Sequence, residues 1–313
     1  MSLVSTREAA VPCYPLVSVL VPCFNYAQYV GEALRSVLEQ EYPNFELIVV
    51  DDGSTDDSVR VIEQVLNRAH VSSQVERVEF IKQENQGVSA ALNTALAASR
   101  GEYVATFDAD DIMPAGRLQL QIDYMLKEPQ VGCLGGGSIR IDGESRQIPR
   151  KDKNRTVKRY DFSQVLANAL VVGGNIALYR REAMDKVGGY DPAIKIQDFQ
   201  MTLKVAEAGF YVDVLPDVVT LYRKHEGSLS KNYKAEYRYA LEVIAPYENH
   251  EQYPSAKARL ITKALRMAVI YDKTFAWSLI RQVPLNLWDR QLLKRLRHLL
   301  LKRPKPAPEE TLK

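Results

Sequence analysis

Three aspartates at the end of one apolar run are the residues of this sequence best suited to chemistry. Asp108, Asp110 and Asp111, which we call the aspartate cluster, directly follow the run at 103–107. Carboxylates this close repel each other unless a positive charge lies among them, and their oxygens are the ligands that Mg²⁺ and Mn²⁺ prefer. Because these ions also bridge to substrate phosphates, the cluster predicts a divalent-metal site for nucleotide or phosphate chemistry. The structural alternative is that an aspartate such as Asp111 caps a following helix.

The composition argues against several other classes of protein. The chain has 313 residues, enough for one large α/β domain or two smaller ones. Its 41 Lys and Arg nearly balance its 39 Asp and Glu, which argues against a dedicated nucleic-acid-binding protein. Cys13, Cys23 and Cys133 form no C-x-x-C pair, which indicates a reduced compartment. No signal peptide or membrane-spanning run is recognisable, so we expect a cytoplasmic protein.

The hydrophobic pattern of the first half predicts alternating strands and helices. Four apolar runs are each followed by polar residues and then by a helical pattern. These runs are residues 17–22, 45–50, 78–81 and 103–107. Such alternation predicts a mostly parallel sheet with helices on both faces. Loops that follow parallel strands meet at the carboxyl edge of the sheet, so we expect Asn25, Asp52 and the aspartate cluster to lie along that edge.

The second half has a looser pattern. Residues 146–159 are polar and basic, and we expect them to form a mobile loop. A helix is expected at 197–208, followed by two strands at 211–215 and 219–222. From residue 235 onward the chain becomes helical and basic.

A basic amphipathic helix is expected near the C-terminus. Large apolar residues recur there at spacings of three and four, and arginines and lysines occupy the other faces. The apolar residues are Leu285, Trp288, Leu292, Leu296 and Leu299. The pattern fits a helix in the interface of an anionic membrane, and equally a helix packed on the protein's own core with its basic face in solvent.

Six motifs in order resemble those of the family-2 glycosyltransferases of the GT-A fold. The motifs are VSVLVPCFNY at 17–26, DDGSTD at 51–56, NQG at 85–87, FDADD at 107–111, QDF at 197–199 and YRKH at 222–225. The resemblance covers roughly residues 16–230. It implies an α/β GT-A fold, with a Rossmann-like, mostly parallel central sheet between helices and a C-terminal helical extension. It also implies inverting transfer of a sugar from a nucleotide-diphosphate sugar, commonly UDP-linked, to a glycan or lipid-linked acceptor in cell-surface polysaccharide or lipopolysaccharide synthesis.

The resemblance assigns a role to each candidate site residue. The nucleotide-sugar donor would be bound by Pro22, Phe24, Asn25, Asp52, Asn85, Gly87 and Asp108. Asp110, together with Asp108 and His225, would bind Mn²⁺ or Mg²⁺, which stabilises the departing nucleoside diphosphate. Asp198 would be the base that accepts the proton of the acceptor hydroxyl.

Residues 173–175 would shape the acceptor pocket by the same resemblance. The pattern departs from the family at Gln197, where many members have glutamate. That departure removes one acidic contact and bears on the choice of acceptor. Arg180 and Arg181 would either contact a phosphate of the acceptor or start a helix.

Several of these residues also have purely structural explanations. Asp52 could cap a helix, and Asp198 could be a favourable charge in the first turn of one. His225 could be an ordinary structural histidine. Asp191 is the fallback candidate for the base, although it also fits a turn.

The resemblance divides the chain into four parts. Residues 14–120 would form the nucleotide-sugar-binding half and residues 121–230 the acceptor-binding half. Residues 231–303 would form a helical region that could contact a membrane, and residues 304–313 a disordered tail. We expect a cytoplasmic protein that contacts the inner face of the membrane through its basic helix and binds no nucleic acid.

Two other functions are compatible with the same residues. A haloacid-dehalogenase-type phosphatase also has a strand followed by D-x-D, and Asp108 would then be a phosphorylated nucleophile and Asp110 the general acid. Against it, the motif follows the fourth strand, and Ile112 stands where that family has Thr or Val. The other function is a catalytically silent GT-A-like protein that binds a nucleotide sugar. A dehydrogenase is not indicated, because no G-x-G-x-x-G follows the first strand.

Overall fold

The structure is a computed structural model that describes residues 14–69, 75–149, 156–225 and 232–301. Cys13, the central part of the basic segment predicted at 146–159, and the tail predicted at 304–313 lie outside these ranges.

The first half alternates strands and helices as the sequence predicts. Its elements are β1 (Val17–Cys23), α1 (Val30–Leu38), β2 (Phe45–Asp51), α2 (Ser58–Ala69), β3 (Val75–Lys82), α3 (Val88–Ala98), β4 (Tyr103–Thr106) and α4 (Arg117–Lys127). The four strands are parallel, in the order β3-β2-β1-β4. The strands β1, β2 and β4 are almost entirely buried, because apolar cores cover both faces of the sheet.

The second half extends the same sheet with strands of both directions. Its elements are β5 (Val131–Ile141), β6 (Gln147–Ile148), β7 (Lys158–Tyr160), α5 (Phe162–Asn168), β8 (Leu178–Arg180), α6 (Arg181–Val187), α7 (Gln197–Glu207) and β9 (Tyr211–Arg223). The sheet continues from β4 in the order β8-β5-β9-β7, and β6 pairs with β5. The strand β8 is antiparallel to both β4 and β5, whereas β5 and β9 are parallel. The predicted α/β class is confirmed. The run of neighbouring strands that are all parallel lies in the first half, and the second half mixes parallel and antiparallel pairs.

Two predictions about the second half are wrong in detail. The strands predicted at 211–215 and 219–222 form the single strand β9, because β5 pairs along its whole length and accommodates Pro216 at irregularities of register near Gly137. The segment 146–159 is not loop throughout its described part, since its ends pair as β6 and β7. The single strand β9 and the strand β7 arise from pairing between segments far apart in the sequence, whereas β6 forms a local hairpin with the end of β5.

A helical extension follows the sheet. Its helices are α8 (Tyr233–Ile244), α9 (Tyr253–Tyr271), α10 (Lys273–Ile280) and α11 (Arg290–Leu301). The helix α8 and the first turns of α9 share a core with the sheet, and the remaining helices form a core of their own. None of the described helices is both long and apolar enough to cross a bilayer.

The helix predicted from Leu285 begins later, at Arg290. The Asp289 side chain caps it by accepting a hydrogen bond from Leu292 N at 2.7 Å. Leu292 and Leu299 are buried in the extension core, whereas Leu285 is 79% exposed. One side of α11 therefore packs on the protein itself.

Candidate active site

The aspartate cluster lies just beyond the carboxyl end of β4. One carboxylate oxygen from each aspartate lies within 4.8 Å of the others. Asp108 is half-buried, Asp110 is buried and Asp111 is inaccessible to solvent. Burial and the neighbouring aspartates raise the pKa of Asp108 well above its usual range, and they raise the pKa of Asp111 to about 7. This crowding of oxygen donors fits a divalent cation, because a positive charge among them would relieve the repulsion.

Asp111 is fixed by contacts with the second half of the sheet. Its Oδ1 accepts a hydrogen bond from Arg223 N at 2.8 Å, and its Oδ2 accepts one from Asn175 Nδ2. The helix α4 begins only at Arg117, after Gly116, and has no side-chain cap. The alternative that Asp111 caps this helix is therefore wrong.

Arg117 is fully buried close to the cluster. Its guanidinium donates to the backbone oxygens of Asn175 and Ala177, at 2.8 and 3.3 Å, and to Gln121 Oε1 at 2.9 Å. Burial lowers the pKa of Arg117 to about 9, and the charges of Asp111 and Asp108 oppose that change. Sequence reasoning missed this counter-charge, because arginine is seldom fully buried.

Arg223 is a second fully buried arginine beside the cluster. Its Nε donates to the backbone oxygen of Asp110 at 2.7 Å, and its Nη2 donates to Glu32 Oε2, also at 2.7 Å. Its Nη1 donates to Ser145 Oγ at 2.9 Å, and its guanidinium stacks over Tyr29. Arg223 thus connects β9, α1 and the β5–β6 turn to the cluster.

His225 lies beside Asp110, as the resemblance implies for a metal ligand. Its Nε2 is 2.9 Å from Asp110 Oδ2. The imidazole lies between the rings of Tyr29 and Tyr26, with centroid distances of 4.9 and 5.9 Å. These contacts fix the ring where one nitrogen faces the cluster.

A cavity of about 670 Å³ opens next to His225. Its walls are formed by the segment that follows β1 and by residues that follow β2, β5 and β9. The lining residues are Asn25, Tyr26, Ala27, Gln28, Tyr29, Asp56, Gly143, Lys224 and His225. Of the predicted site residues, Asn25 and His225 face this space.

Asn25 joins the loop after β1 to the loop after β2. Its backbone is left-handed, with φ of 57°, a conformation that asparagine tolerates better than most residues. Its Oδ1 accepts hydrogen bonds from Thr55 N at 2.8 Å and Asp56 N at 3.3 Å, and its own N donates to Ser54 Oγ at 2.9 Å. The Asn25 side chain therefore shapes the cavity wall through contacts within the protein.

Asp52 organises the loop that contains Asn85 and Gly87. Its Oδ1 accepts hydrogen bonds from Gln83 Nε2 at 2.8 Å and Gln86 N at 2.9 Å, and its Oδ2 accepts one from Gly87 N at 2.8 Å. The structure thus brings Asp52, Asn85 and Gly87 together at one place. A carboxylate offers about four acceptor sites, so three are already used within the chain.

Pro22 and Phe24 lie at the end of β1 and just after it. Phe24 is 43% exposed, and neither residue is among those that line the cavity. The seven predicted donor-binding residues therefore lie in separate places along the carboxyl edge of the first half.

Asp198 lies in the first turn of α7 and touches the glycine segment at 173–174. Its Oδ2 accepts a hydrogen bond from Gly174 N at 3.2 Å, and its Oδ1 accepts one from Phe199 N at 2.8 Å. Burial raises the pKa of Asp198, while these N–H groups and the Lys263 charge oppose the rise. Since Asn175 contacts Asp111, residues 174–175 link Asp198 to the aspartate cluster.

The remaining candidates for acceptor contacts lie elsewhere. Asp191 is exposed, and its Oδ1 accepts from Ala193 N at 2.9 Å, which fits the turn expected there. Arg180 donates to the backbone oxygen of Met125 at 3.1 Å, and Arg181 donates to Ser99 Oγ at 2.6 Å and starts α6. The two arginines are thus engaged within the protein.

Similarity to known proteins covers most of the chain. A chondroitin synthase of Escherichia coli is 29% identical over 204 residues, which are 65% of this chain and 28% of that protein. The chain spans little more than half the length of two other curated relatives, 54% and 57%.

Two solved structures share the fold. TarS residues 1–349 of S. aureus, in complex with UDP-GlcNAc, is 20% identical with a TM-score of 0.63 over 87% of this chain and 82% of that chain. The mannosyltransferase PcManGT from Pyrobaculum calidifontis, in complex with GDP-Man and Mn²⁺, is 21% identical with a TM-score of 0.61 over 92% and 87% of the two chains. These similarities confirm the predicted GT-A fold.

The family model described as Glycosyl transferase family 2 matches residues 18–188, more than half of the chain, and this range contains all but the first residue of β1, the strands β2 to β8 and the aspartate cluster. The chain belongs to glycosyl transferase family 2.

Proposed function

We propose that this protein transfers a sugar, with inversion, from a nucleotide-diphosphate sugar to a hydroxyl group of a glycan or lipid-linked acceptor. The process served would be synthesis of cell-surface polysaccharide or lipopolysaccharide. One observation supports the proposal above all. Residues 174–175 link Asp198, the proposed base, to the aspartate cluster, the proposed metal site, through one hydrogen bond to each.

Asp108 and Asp110 are the residues that would hold Mn²⁺ or Mg²⁺, with His225 beside Asp110. Asp111 is less suited, because both of its oxygens already accept hydrogen bonds from Arg223 and Asn175. A divalent ion held there supplies positive charge against the nucleoside diphosphate that departs. The Mn²⁺ complex of PcManGT supports the use of a divalent metal in this fold.

Asp198 would act as the general base. The acceptor oxygen forms a bond to the anomeric carbon, the bond from that carbon to the diphosphate breaks, and the hydroxyl proton passes to the Asp198 carboxylate. A carboxylate with a raised pKa is a more effective base than an exposed one near neutral pH. The N–H groups of Gly174 and Phe199 hold this carboxylate in place.

The donor is proposed to occupy the cavity beside His225. Its volume of about 670 Å³ lies within the usual range for small-molecule sites. A UDP-linked sugar, as in the UDP-GlcNAc complex of TarS, is the proposed donor, and a GDP-linked sugar, as in the GDP-Man complex of PcManGT, is the alternative. The family match favours this function over the phosphatase alternative.

Thermal unfolding with a panel of nucleoside diphosphates and sugar nucleotides tests the proposal. We expect one diphosphate to raise Tm by mass action, and to do so more strongly with Mn²⁺. Asp110→Asn should abolish the Mn²⁺-dependent part, whereas Asp123→Asn, at an exposed position of α4, should not. The absence of any shift with the unmodified protein would refute donor binding. Binding without sugar transfer or donor hydrolysis would identify the silent alternative.

We also propose that α11 contacts an anionic membrane, at the cytoplasmic face. The side of α11 that faces away from the extension core exposes Leu293, Leu300 and Leu301 by 50%, 61% and 72%. Arg290, Lys294 and Arg297 are exposed on the same helix. Exposed leucines beside basic residues suit the interface of an anionic bilayer.

Flotation with vesicles tests the membrane contact. The protein should float with vesicles of phosphatidylcholine and phosphatidylglycerol, but not with phosphatidylcholine alone. Replacing Leu293 and Leu300 by serine should abolish flotation, whereas Leu126→Ser, at a residue of α4 that is 46% exposed, should not. Equal flotation of all three proteins would remove the proposed contact.

A further inference from the structure

Tyr29 presents a hydroxyl group at the wall of the cavity beside His225. Tyr29 is only 9% exposed, and it is one of the residues that line this cavity. Among the described residues its Oη has no hydrogen-bond partner, and this oxygen is not closed off from solvent. A tyrosine buried to this extent usually has a partner for its hydroxyl. The hydroxyl of Tyr29 therefore faces the cavity, where a ligand can supply the missing partner.

Two neighbours fix the ring of Tyr29. The Arg223 guanidinium lies over the ring, with its carbon 4.9 Å from the ring centroid, and the centroid of the His225 imidazole is also 4.9 Å away. The backbone is fixed as well, because Tyr29 directly precedes α1 and its carbonyl oxygen accepts a hydrogen bond from Ala33 N at 3.1 Å. A side chain held in this way loses little further conformational freedom when a ligand binds.

Gly143 leaves the space in front of this hydroxyl open. Gly143 lies in the β5–β6 turn and also lines the cavity, and a Cβ added to it would meet only Tyr29 Oη within 4 Å, at 3.6 Å. The turn is fixed in place, because Ser145 Oγ accepts a hydrogen bond from Arg223 Nη1 and donates one to Glu32 Oε1, each at 2.9 Å. Tyr29 and Gly143 thus form two sides of one corner of the cavity.

The neighbourhood of His225 indicates which ligand group fits this corner. The imidazole packs against Tyr29 on one side, and its Nε2 lies 2.9 Å from Asp110 Oδ2, at the proposed metal site. The diphosphate of the donor is proposed to lie at that site. Phosphate oxygens accept hydrogen bonds and a tyrosine hydroxyl donates one, and such bonds to a charged acceptor are stronger than neutral ones.

We propose that the Tyr29 hydroxyl donates a hydrogen bond to a phosphate oxygen of the nucleotide-sugar donor, and that Gly143 keeps the approach to this hydroxyl open. The inference rests on the proposed glycosyl transfer. It adds a donor contact that lies outside the six sequence motifs, because the first of these ends at Tyr26.

Calorimetric titration with UDP in the presence of Mn²⁺ tests the hydrogen bond, with GDP in its place if only GDP raises the Tm of the unmodified protein. Tyr29→Phe should weaken UDP binding by roughly 10- to 100-fold, since the acceptor is charged. Its Tm without ligand should be unchanged, because the ring keeps its neighbours. Uridine, which has no phosphate, should show no difference between the two proteins. Tyr211→Phe is the control, because Tyr211 is an exposed tyrosine at the other end of β9 from Arg223.

A substitution at Gly143 tests the open space. Gly143→Leu should weaken UDP binding at least as much as Tyr29→Phe, because the added side chain would cover the hydroxyl. The φ angle of Gly143 lies outside the left-handed region, so leucine fits this backbone. Glu144→Leu is the matched control, because Glu144 is the next residue of the same turn and its side chain is 72% exposed. It should bind UDP as the unmodified protein does.

Three results would overturn the inference. They are Tyr29→Phe binding UDP as tightly as the unmodified protein, Tyr29→Phe losing as much affinity for uridine as for UDP, and Gly143→Leu weakening UDP binding no more than Glu144→Leu. In each case, UDP binding by the unmodified protein would still support the proposed function. If neither UDP nor GDP binds to the unmodified protein, the proposed function itself fails, and the Tyr29 contact fails with it.

Discussion

The Arg223 guanidinium donates a hydrogen bond from Nε to the backbone oxygen of Asp110 at 2.7 Å. The backbone N–H of the same arginine donates to the Asp111 carboxylate at 2.8 Å. One buried residue of β9 thus holds two consecutive members of the aspartate cluster, and Glu32 of α1 neutralises its charge.

Replacing Arg223 by lysine should destabilise the protein and weaken metal-dependent nucleotide binding. A lysine ammonium cannot span Asp110, Glu32 and Ser145 at once as a planar guanidinium does. We expect the free energy of unfolding to fall by roughly 2–4 kcal/mol, measured by urea denaturation. Arg146→Lys is the control, because the Arg146 side chain is 71% exposed, and it should change stability by less than about 0.5 kcal/mol. Equal effects of the two substitutions would contradict the positioning role of Arg223.

Asp198→Asn should abolish most transfer while leaving nucleotide binding intact. The amide keeps the size of the side chain but cannot accept the proton, so kcat should fall by roughly 10²–10⁴. Asp191→Asn serves as the comparison, because Asp191 is exposed in a turn. If Asp191→Asn is the more damaging substitution, the base is Asp191.

The pH dependence of kcat/KM should report the ionisation of Asp198. Burial raises its pKa above the ordinary value of 3.8, and only the unprotonated carboxylate can accept a proton. The rate should therefore rise as the pH increases through this raised pKa and level off above it. The acid limb should be missing from the residual activity of Asp198→Asn. An identical acid limb in that variant would assign the ionisation to another group.

His225→Phe should weaken metal binding and leave the fold intact. Phenylalanine keeps an aromatic ring between Tyr26 and Tyr29 but removes the nitrogen that faces Asp110. The Mn²⁺ concentration for half-maximal activity should increase by roughly 10-fold or more. His250→Phe, at a histidine that packs against Phe162, should leave the Mn²⁺ requirement unchanged. A purely structural His225 would lower Tm without moving that requirement.

Asp52→Asn should lower stability even without ligand. The new amide would direct N–H groups toward one of the donors that the carboxylate now accepts from, at Gln83, Gln86 or Gly87. The expected loss is about 1–3 kcal/mol in urea denaturation. Asp57→Asn should have little effect, because the Asp57 side chain is 68% exposed. Unchanged stability with weaker nucleotide binding would mean that Asp52 acts only on the ligand.

The first half of the fold could be predicted because its signals are local. Buried parallel strands read as continuous apolar runs, and the polar residues after them must meet at one edge of the sheet. That logic placed Asn25, Asp52 and the aspartate cluster along this edge. The family resemblance added His225, and the structure places it 2.9 Å from Asp110.

The parts that sequence reasoning missed depend on contacts between distant residues. Nothing in the local sequence of Arg117 or Arg223 indicates burial. The desolvation penalty of each buried arginine is offset only in the folded protein, where aspartates and backbone oxygens surround it. The three-residue strand β8 is equally hidden, because its pairing with β4 and β5 decides its state. Leu285 has the apolar spacing of α11, but it lies outside the helix because the cap at Asp289 sets the helix start at Arg290.

The strand β8 also governs how proteins of this architecture can be recombined. It forms hydrogen bonds with β4 on one side and β5 on the other, so the first and second halves of the sheet are joined through this one strand. A chimera that joins such halves from two relatives must preserve the contacts of Tyr179 with both Val104 and Cys133. New acceptor preferences should therefore arise by exchange of loops around an intact sheet, rather than by exchange of whole halves.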